Sequence, residues 1–106
     1  LRGENLDKAE KMSRKTNELE PLVSSYQDTY AWILYKLNKL EDAKLWLEKA
    51  MKNGADKNPV ILEHYGDVLY RLGDTKSAFE YWEKAKNAGT GSDFLDKKIA
   101  DKKLYE

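Results

Sequence analysis

Cysteine is absent from the 106-residue chain, proline occurs only 2 times, and neither sign of charge is in excess. Without cysteine the chain can form neither disulfide bonds nor thiolate metal sites. Its 19 basic and 19 acidic side chains cancel. We therefore expect no nucleic-acid partner, because a polyanion-binding surface needs a basic excess. No apolar run approaches the roughly 20 residues of a membrane-spanning helix, so we expect no direct membrane insertion.

What the sequence does contain is an internal repeat. Residues 30–54 align without gaps to residues 65–89 at an offset of 35. The alignment has nine identities in 25 positions: Tyr30/Tyr65, Leu34/Leu69, Tyr35/Tyr70, Leu37/Leu72, Ala43/Ala78, Glu48/Glu83, Lys49/Lys84, Ala50/Ala85 and Gly54/Gly89. A fixed period of this length is typical of stacked helical repeats.

Residues that start and stop helices recur along the chain. Asn58 and Pro59 are an N-cap followed by proline at the first helical position. Gly73 suits the left-handed residue that ends a helix, and Asn38 tolerates that conformation at the equivalent place. Between these signals the apolar spacing of three and four residues predicts helices over 6–19, 26–37, 40–53, 60–72, 75–89 and 92–105. Strand patterns are absent, so we expect an all-α fold of about six helices with antiparallel neighbours.

We interpret these helices as one domain, residues 1–106, built from stacked helix pairs. Residues 6–21 would be the second helix of a truncated unit, 22–56 and 57–91 two complete units, and 92–105 a capping helix. The capping helix is expected to cover the last unit with Phe94, Leu95, Ile99 and Leu104. Its other face is polar, as an end cap requires: Asp93, Asp96, Lys97, Lys98, Asp101, Lys102 and Lys103.

The two complete units resemble the tetratricopeptide repeat (TPR), a helix–turn–helix of about 34 residues. In 57–91 the resemblance rests on Leu62, Tyr65-Gly66, Leu69-Tyr70, Gly73-Asp74, Ala78, Trp82 and Ala85. In 22–56 it rests on Tyr30-Ala31, Leu34-Tyr35, Ala43, Leu47 and Ala50, with departures at Gln27 and Asn38. It implies the C-terminal segment of a larger, bacterial TPR protein and a right-handed α-solenoid. It also implies that the alanines and Gly66 are buried between helices.

The resemblance further implies a concave groove lined by the first helix of each unit, and no catalytic chemistry. The residues that it places there are Asp28, Trp32, Tyr35, Lys36, Glu63, Asp67, Tyr70 and Arg71, with Lys97 and Asp101 added by the last helix. Such a groove binds a protein or peptide segment. Some TPR proteins grip carboxylates with lysine and asparagine, but three acids here predict repulsion, which favours a basic or apolar anchor.

Two interpretations stay open for the groove and for the chain. Trp32 either recognises a partner or packs against a preceding helix or Lys36. The chain is either a peptide-binding module or an architectural end segment of a longer solenoid. In the second case it has no separate ligand, and it either packs within its parent protein or forms a homodimer through its truncated N-terminal edge.

The sequence contains few residues suited to catalysis or metal binding. His64 is the only histidine, and no serine, cysteine or second histidine accompanies it in a triad or metal-ligand pattern. Glu63 and Asp67 stand one helical turn apart, but acid–base work needs a pKa raised by burial. An open, water-filled groove would not supply that burial. We therefore expect no enzymatic activity, no catalytic residue, no metal and no cofactor.

Overall fold

The computed structural model describes the backbone of residues 3–105 and the side chains of residues 5–105. Within that range the chain forms six α-helices and no strand: α1 (Gly3–Leu19), α2 (Ser24–Lys36), α3 (Leu40–Ala50), α4 (Pro59–Arg71), α5 (Thr75–Ala88) and α6 (Leu95–Asp101). The prediction of an all-α fold with about six helices is confirmed. None of these six helices is long and apolar enough to cross a membrane.

Helix α4 is the central element of the packing. Each helix contacts the next along the chain, and α4 contacts α2 as well as α3 and α5. One cluster of buried side chains joins α2, α3 and α4 around Leu47 and Val68. A second cluster joins α4, α5 and α6 around Trp82. The helices together occupy 38 × 29 × 22 Å.

The helix ends follow the signals read from the sequence. The side chain of Asn58 accepts hydrogen bonds from the N–H groups of Val60 (2.9 Å) and Ile61 (3.2 Å) at the start of α4. Asn38 and Gly73 follow α2 and α4 with φ of 64° and 93°. Both sit in the left-handed region in which a chain leaves a helix. The two turns therefore use equivalent residues 35 positions apart.

Two predicted helices are too long, one at its C-terminal end and the other at both ends. The sequence predicts a helix over 40–53, but α3 ends at Ala50 and a wide π-type turn, Met51–Ala55, follows it. The amide of Asn53 donates to the buried Gln27 (3.0 Å), which holds the turn against α2. The last helix, predicted over 92–105, covers only Leu95–Asp101, because Ser92 uses both its N–H and its hydroxyl to bind Glu63.

Side-chain contacts repeat together with the sequence. Tyr30 meets Trp46 edge to face at 4.7 Å, and Tyr65 meets Tyr81 in the same way at 4.6 Å. A lysine ammonium covers the second ring of each pair, from Lys49 in the first unit and from Lys84 in the second. The offset of 35 residues therefore relates side-chain contacts as well as residue identities.

The small residues lie where helices approach closely. The alanines expected between helices are all fully buried, namely Ala31, Ala43, Ala50, Ala78 and Ala85. At Gly66 an added Cβ would lie 2.5 Å from Cδ1 of Trp82 and 3.1 Å from the carbonyl oxygen of Ala78. The first unit has Ala31 at the position of Gly66 and Leu47 at the position of Trp82. The smaller Leu47 explains why an alanine fits there.

We expect Gly66→Ala to lower the free energy of unfolding by about 1–3 kcal/mol, because the new methyl group overpacks against Trp82. In a Trp82→Leu background the same substitution should cost much less, since that pair reproduces Ala31 with Leu47. Urea unfolding followed by circular dichroism measures the stability of the wild type, the two single variants and the double variant. Gly73→Asn is the control and should be nearly neutral, because asparagine already occupies the equivalent turn. An equal cost of Gly66→Ala in both backgrounds would contradict this explanation.

Candidate ligand-binding groove

A cavity of about 280 Å³ opens between α2, α4 and the C-terminal segment. We call it the central cavity. Helix α2 contributes Trp32 and Lys36 to its lining. Helix α4 and the segment after α5 contribute the remaining residues, Val60, Glu63, His64, Asp67, Gly91, Ser92, Phe94, Lys98 and Tyr105. Four of the eight predicted groove residues are therefore brought together here: Trp32, Lys36, Glu63 and Asp67.

A column of stacked rings forms the α2 side of the central cavity. The Trp32 ring lies between Tyr35, at 4.6 Å and 11°, and His64, at 4.1 Å and 16°. Trp32 and Tyr35 are three residues apart on one helix face, and His64 reaches them from α4. Nδ1 of His64 lies 2.9 Å from Asp28 Oδ1, which fixes the imidazole. Trp32 is thus half-buried and stacks with both neighbouring rings.

Two cations lie against this column. The ammonium of Lys36 is 5.1 Å from the centre of the Trp32 ring, and the guanidinium of Arg71 is 4.9 Å from the Tyr35 ring. Cations in these positions are attracted by the negative ring faces. Arg71 also donates a hydrogen bond of 2.6 Å to Asn38. Both side chains remain exposed to solvent.

A buried ion cluster forms the floor of the central cavity. Nζ of Lys98 lies 2.6 Å from Oε2 of Glu63 and 2.9 and 3.0 Å from the two carboxylate oxygens of Asp67. Trp82 Nε1 donates to Asp67 at 3.0 Å, and the N–H and hydroxyl of Ser92 both donate to Glu63. The side chains of Glu63, Asp67 and Lys98 are each only 3% exposed.

The ion cluster corrects three expectations. Glu63 and Asp67 do line the cavity, but as buried and paired groups rather than as solvated charges of an open groove. The sequence predicts Lys98 on the solvent face of the capping helix and Lys97 in the groove, but Lys98 points inward to Glu63 and Asp67. The ammonium of Lys97 lies over the Tyr105 ring instead, 4.6 Å from its centre.

The pKa values of the two carboxyl groups are shifted in opposite directions. Burial raises the pKa of Asp67 to about 6, against the opposing effect of Lys98. For Glu63 burial acts in the same direction, but hydrogen bonds from Lys98 and Ser92 outweigh it and hold the pKa below its usual value. The expectation that no carboxyl group here would be buried was wrong. Every oxygen of both groups nevertheless has a donor within the cluster, which favours a structural role.

The remaining predicted groove residues lie outside the central cavity. Tyr35 is buried with only 1% exposure, so the expectation that its ring lines an open groove was wrong. Tyr70 packs against Phe79 and Trp82 in the core instead. Asp28 and Arg71 flank the ring column, and Asp101 accepts a hydrogen bond from Tyr105.

Sequence reasoning missed most of the C-terminal wall. Phe94 and Tyr105 line the cavity from a segment without regular helix, where residue spacing carries no signal. His64 could have been found, because it precedes the buried Tyr65 on the side of α4 that faces α2. No group of three or more potential metal ligands occurs among the described residues.

Comparison with protein-family models and with curated proteins gives no match to this chain.

We expect Lys98→Met to lower the free energy of unfolding by about 3–5 kcal/mol, because two buried carboxyl groups lose their cation. Chemical denaturation at pH 7 gives this value directly. Lys97→Met is the matched control on the adjacent exposed residue and should change stability by less than about 0.5 kcal/mol. Combining Lys98→Met with Glu63→Gln and Asp67→Asn should recover most of the loss. Equal stability of the Lys98 and Lys97 variants would contradict the buried cluster.

Proposed function

We propose that this chain is a TPR-type helical-repeat module that binds a peptide or protein segment at the central cavity. The observation that carries the proposal is a largely apolar cavity walled by the fixed, half-buried ring of Trp32 and by Phe94, which is 44% exposed. Aromatic side chains of this kind bury a large area at little entropic cost when a partner covers them.

The shape of the site suits one anchoring side chain. A cavity of about 280 Å³ is at the lower end for ligand sites and can enclose a bulky side chain rather than a whole peptide. The rest of the segment would then run over Lys36, Val60 and the exposed ends of α2 and α4. Preorganised rings lower the cost of binding, but the small area predicts an affinity of only about micromolar.

The TPR assignment and the right-handed solenoid belong to this proposal. Support comes from the contacts repeated at 35 residues, the buried alanines and the left-handed turns at Asn38 and Gly73. Support for a role in binding comes from the fixed floor, since the ion cluster ties the C-terminal wall to α4 before any partner arrives. The alternative of an enzyme has less support, because the cluster oxygens are already engaged.

A second candidate function is architectural, and one observation favours it. A groove of about 450 Å³ lies between α1 and α2 and is lined by Ala9, Met12, Ser13, Thr16, Tyr26, Thr29 and Ile33. We call it the N-terminal groove. Met12 in its lining is 72% exposed, and Leu19 and Leu22, at the end of α1 and just after it, are 71% and 75% exposed. A concentration of exposed apolar side chains marks a surface that a further protein element covers.

The repeat indicates what shape of element would fit the N-terminal groove. Adding 34 to its α1 residues and 35 to its α2 residues gives Ala43, Trp46, Leu47, Ala50, Ile61, His64 and Val68. In the next unit these residues belong to α3 and α4, against which α2 packs. The N-terminal groove is thus the equivalent of a site that already holds a helix. In the architectural candidate, a helix of the parent protein or of a second copy lies there.

A peptide-display selection on the immobilised protein tests the binding function. We expect enriched peptides with a bulky apolar residue, and we expect Trp32→Ala to weaken their binding at least about tenfold by calorimetry, because the main anchor wall is lost. Leu45→Ala is the control, since Leu45 is exposed on α3 and does not line the central cavity. Unchanged thermal unfolding of Trp32→Ala within a few degrees excludes a folding defect.

Peptides that bind the Trp32→Ala and Leu45→Ala variants equally well would argue against the central cavity. Sedimentation velocity then tests the architectural candidate in its self-associating form. A concentration-dependent dimer that Met12→Lys dissociates would support it, and a monomer at all concentrations would count against it.

A further inference from the structure

We infer that the segment bound at the central cavity carries an acidic side chain next to its bulky apolar anchor. This inference rests on the proposed function and adds the charge of the ligand. It follows from which of the charged groups on the α2–α4 face remain available to a partner. It reverses the expectation from the sequence, in which the three acids of this face repel carboxylates.

All three acids of this face have partners within the chain. Glu63 and Asp67 are buried against Lys98. Asp28 faces His64 at 2.9 Å, and its side chain is only 18% exposed. Every oxygen of Glu63 and Asp67, and Oδ1 of Asp28, therefore already has a partner within the chain.

The two bases of the same face are exposed. Lys36 and Arg71 lie over aromatic rings, and neither forms a salt bridge in the described part of the chain. Their head groups are 5.9 and 4.9 Å from the centre of the same Tyr35 ring, and of the two only Lys36 belongs to the lining of the cavity. Arg71 uses one donor on Asn38, and a guanidinium has five.

Charges on the opposite wall balance each other. Tyr105 donates to Asp101 at 2.6 Å, and the ammonium of Lys97 lies over the ring of the same tyrosine. The exposed charged side chains of α2 and α4 are therefore the two bases, Lys36 and Arg71. A bulky side chain in the cavity and a carboxylate over these two bases would satisfy the apolar and the charged part of the site together.

This arrangement differs from the carboxylate grip known in some TPR proteins. The positions that the resemblance gives to that grip are occupied here by Asp28, Trp32, Glu63 and Asp67. Lys36 and Arg71 each lie one helical turn further along α2 and α4. The recognition unit is thus an acidic group beside an apolar anchor within a segment, with no requirement for a chain end.

Four fluorescein-labelled decapeptides, acetylated and amidated at their ends, test the inference by fluorescence anisotropy at low salt. Three have a central tryptophan flanked on each side by two glutamates, two glutamines or two lysines. The fourth has the glutamates around a central alanine. We expect the glutamate–tryptophan peptide to bind about tenfold more tightly than each of the others, and added salt to weaken it.

Variants of the protein assign the charge to its residues. Lys36→Gln with Arg71→Gln should remove most of the preference for glutamate over glutamine, while Lys97→Gln on the opposite wall should leave it unchanged. Both sites are exposed, so circular dichroism should show an unchanged fold. Equal or tighter binding of the glutamine or lysine peptide, or a preference that survives the double substitution, would overturn the inference.

The same measurements separate the inference from the proposed function. Binding of all tryptophan peptides with a similar affinity that Trp32→Ala abolishes would leave the proposed function in place and overturn the charge preference. Absence of binding for every peptide would count against the cavity as a peptide site, and with it against the inference.

Discussion

The ammonium of Lys98 is the point on which the C-terminal half of this molecule depends. It lies between Glu63 and Asp67, two carboxylates one turn apart on α4. Because Lys98 belongs to α6, these ion pairs join α6 to α4. Ser92 binds the same Glu63, so the connection between α5 and α6 is held at two places. Leu95 and Ile99 also pack in the apolar cluster around Trp82, and the ion pairs add polar contacts between α6 and α4.

Burying three charges has a cost that hydrogen bonds must offset. The cluster meets this condition because Trp82 and Ser92 supply donors beyond Lys98. Trp82 also fills the space that Gly66 leaves open. The glycine, the tryptophan and the ion cluster therefore form one packing arrangement, which distinguishes the second unit from the first. The first unit has Ala31 and Leu47 there instead, and its side of the cavity is formed by stacked rings.

The sequence predicts the repeat and most of the helices, because both depend on local signals and regular spacing. Asn58, Gly73 and the alanines act through backbone geometry or size, and each is where the pattern places it. The ion cluster was not predictable in this way. Glu63, Asp67 and Lys98 have the spacing of a solvated helix face, and only the position of α6 turns them inward. That position depends on Ser92, whose bonds to Glu63 join residues 29 apart along the chain.

Asp67 and Lys98 form a buried pair, which leaves Lys36 and Arg71 as the exposed charged side chains of α2 and α4. Nuclear magnetic resonance tests it most directly, by following the side-chain carboxyl carbon of Asp67 and the ammonium protons of Lys98 as the pH is varied. The account predicts that Asp67 titrates near the raised pKa of about 6 and that the Lys98 ammonium exchanges with water much more slowly than that of Lys97. An Asp67 that titrates near pH 4, as on a protein surface, together with rapid exchange at Lys98, would contradict it.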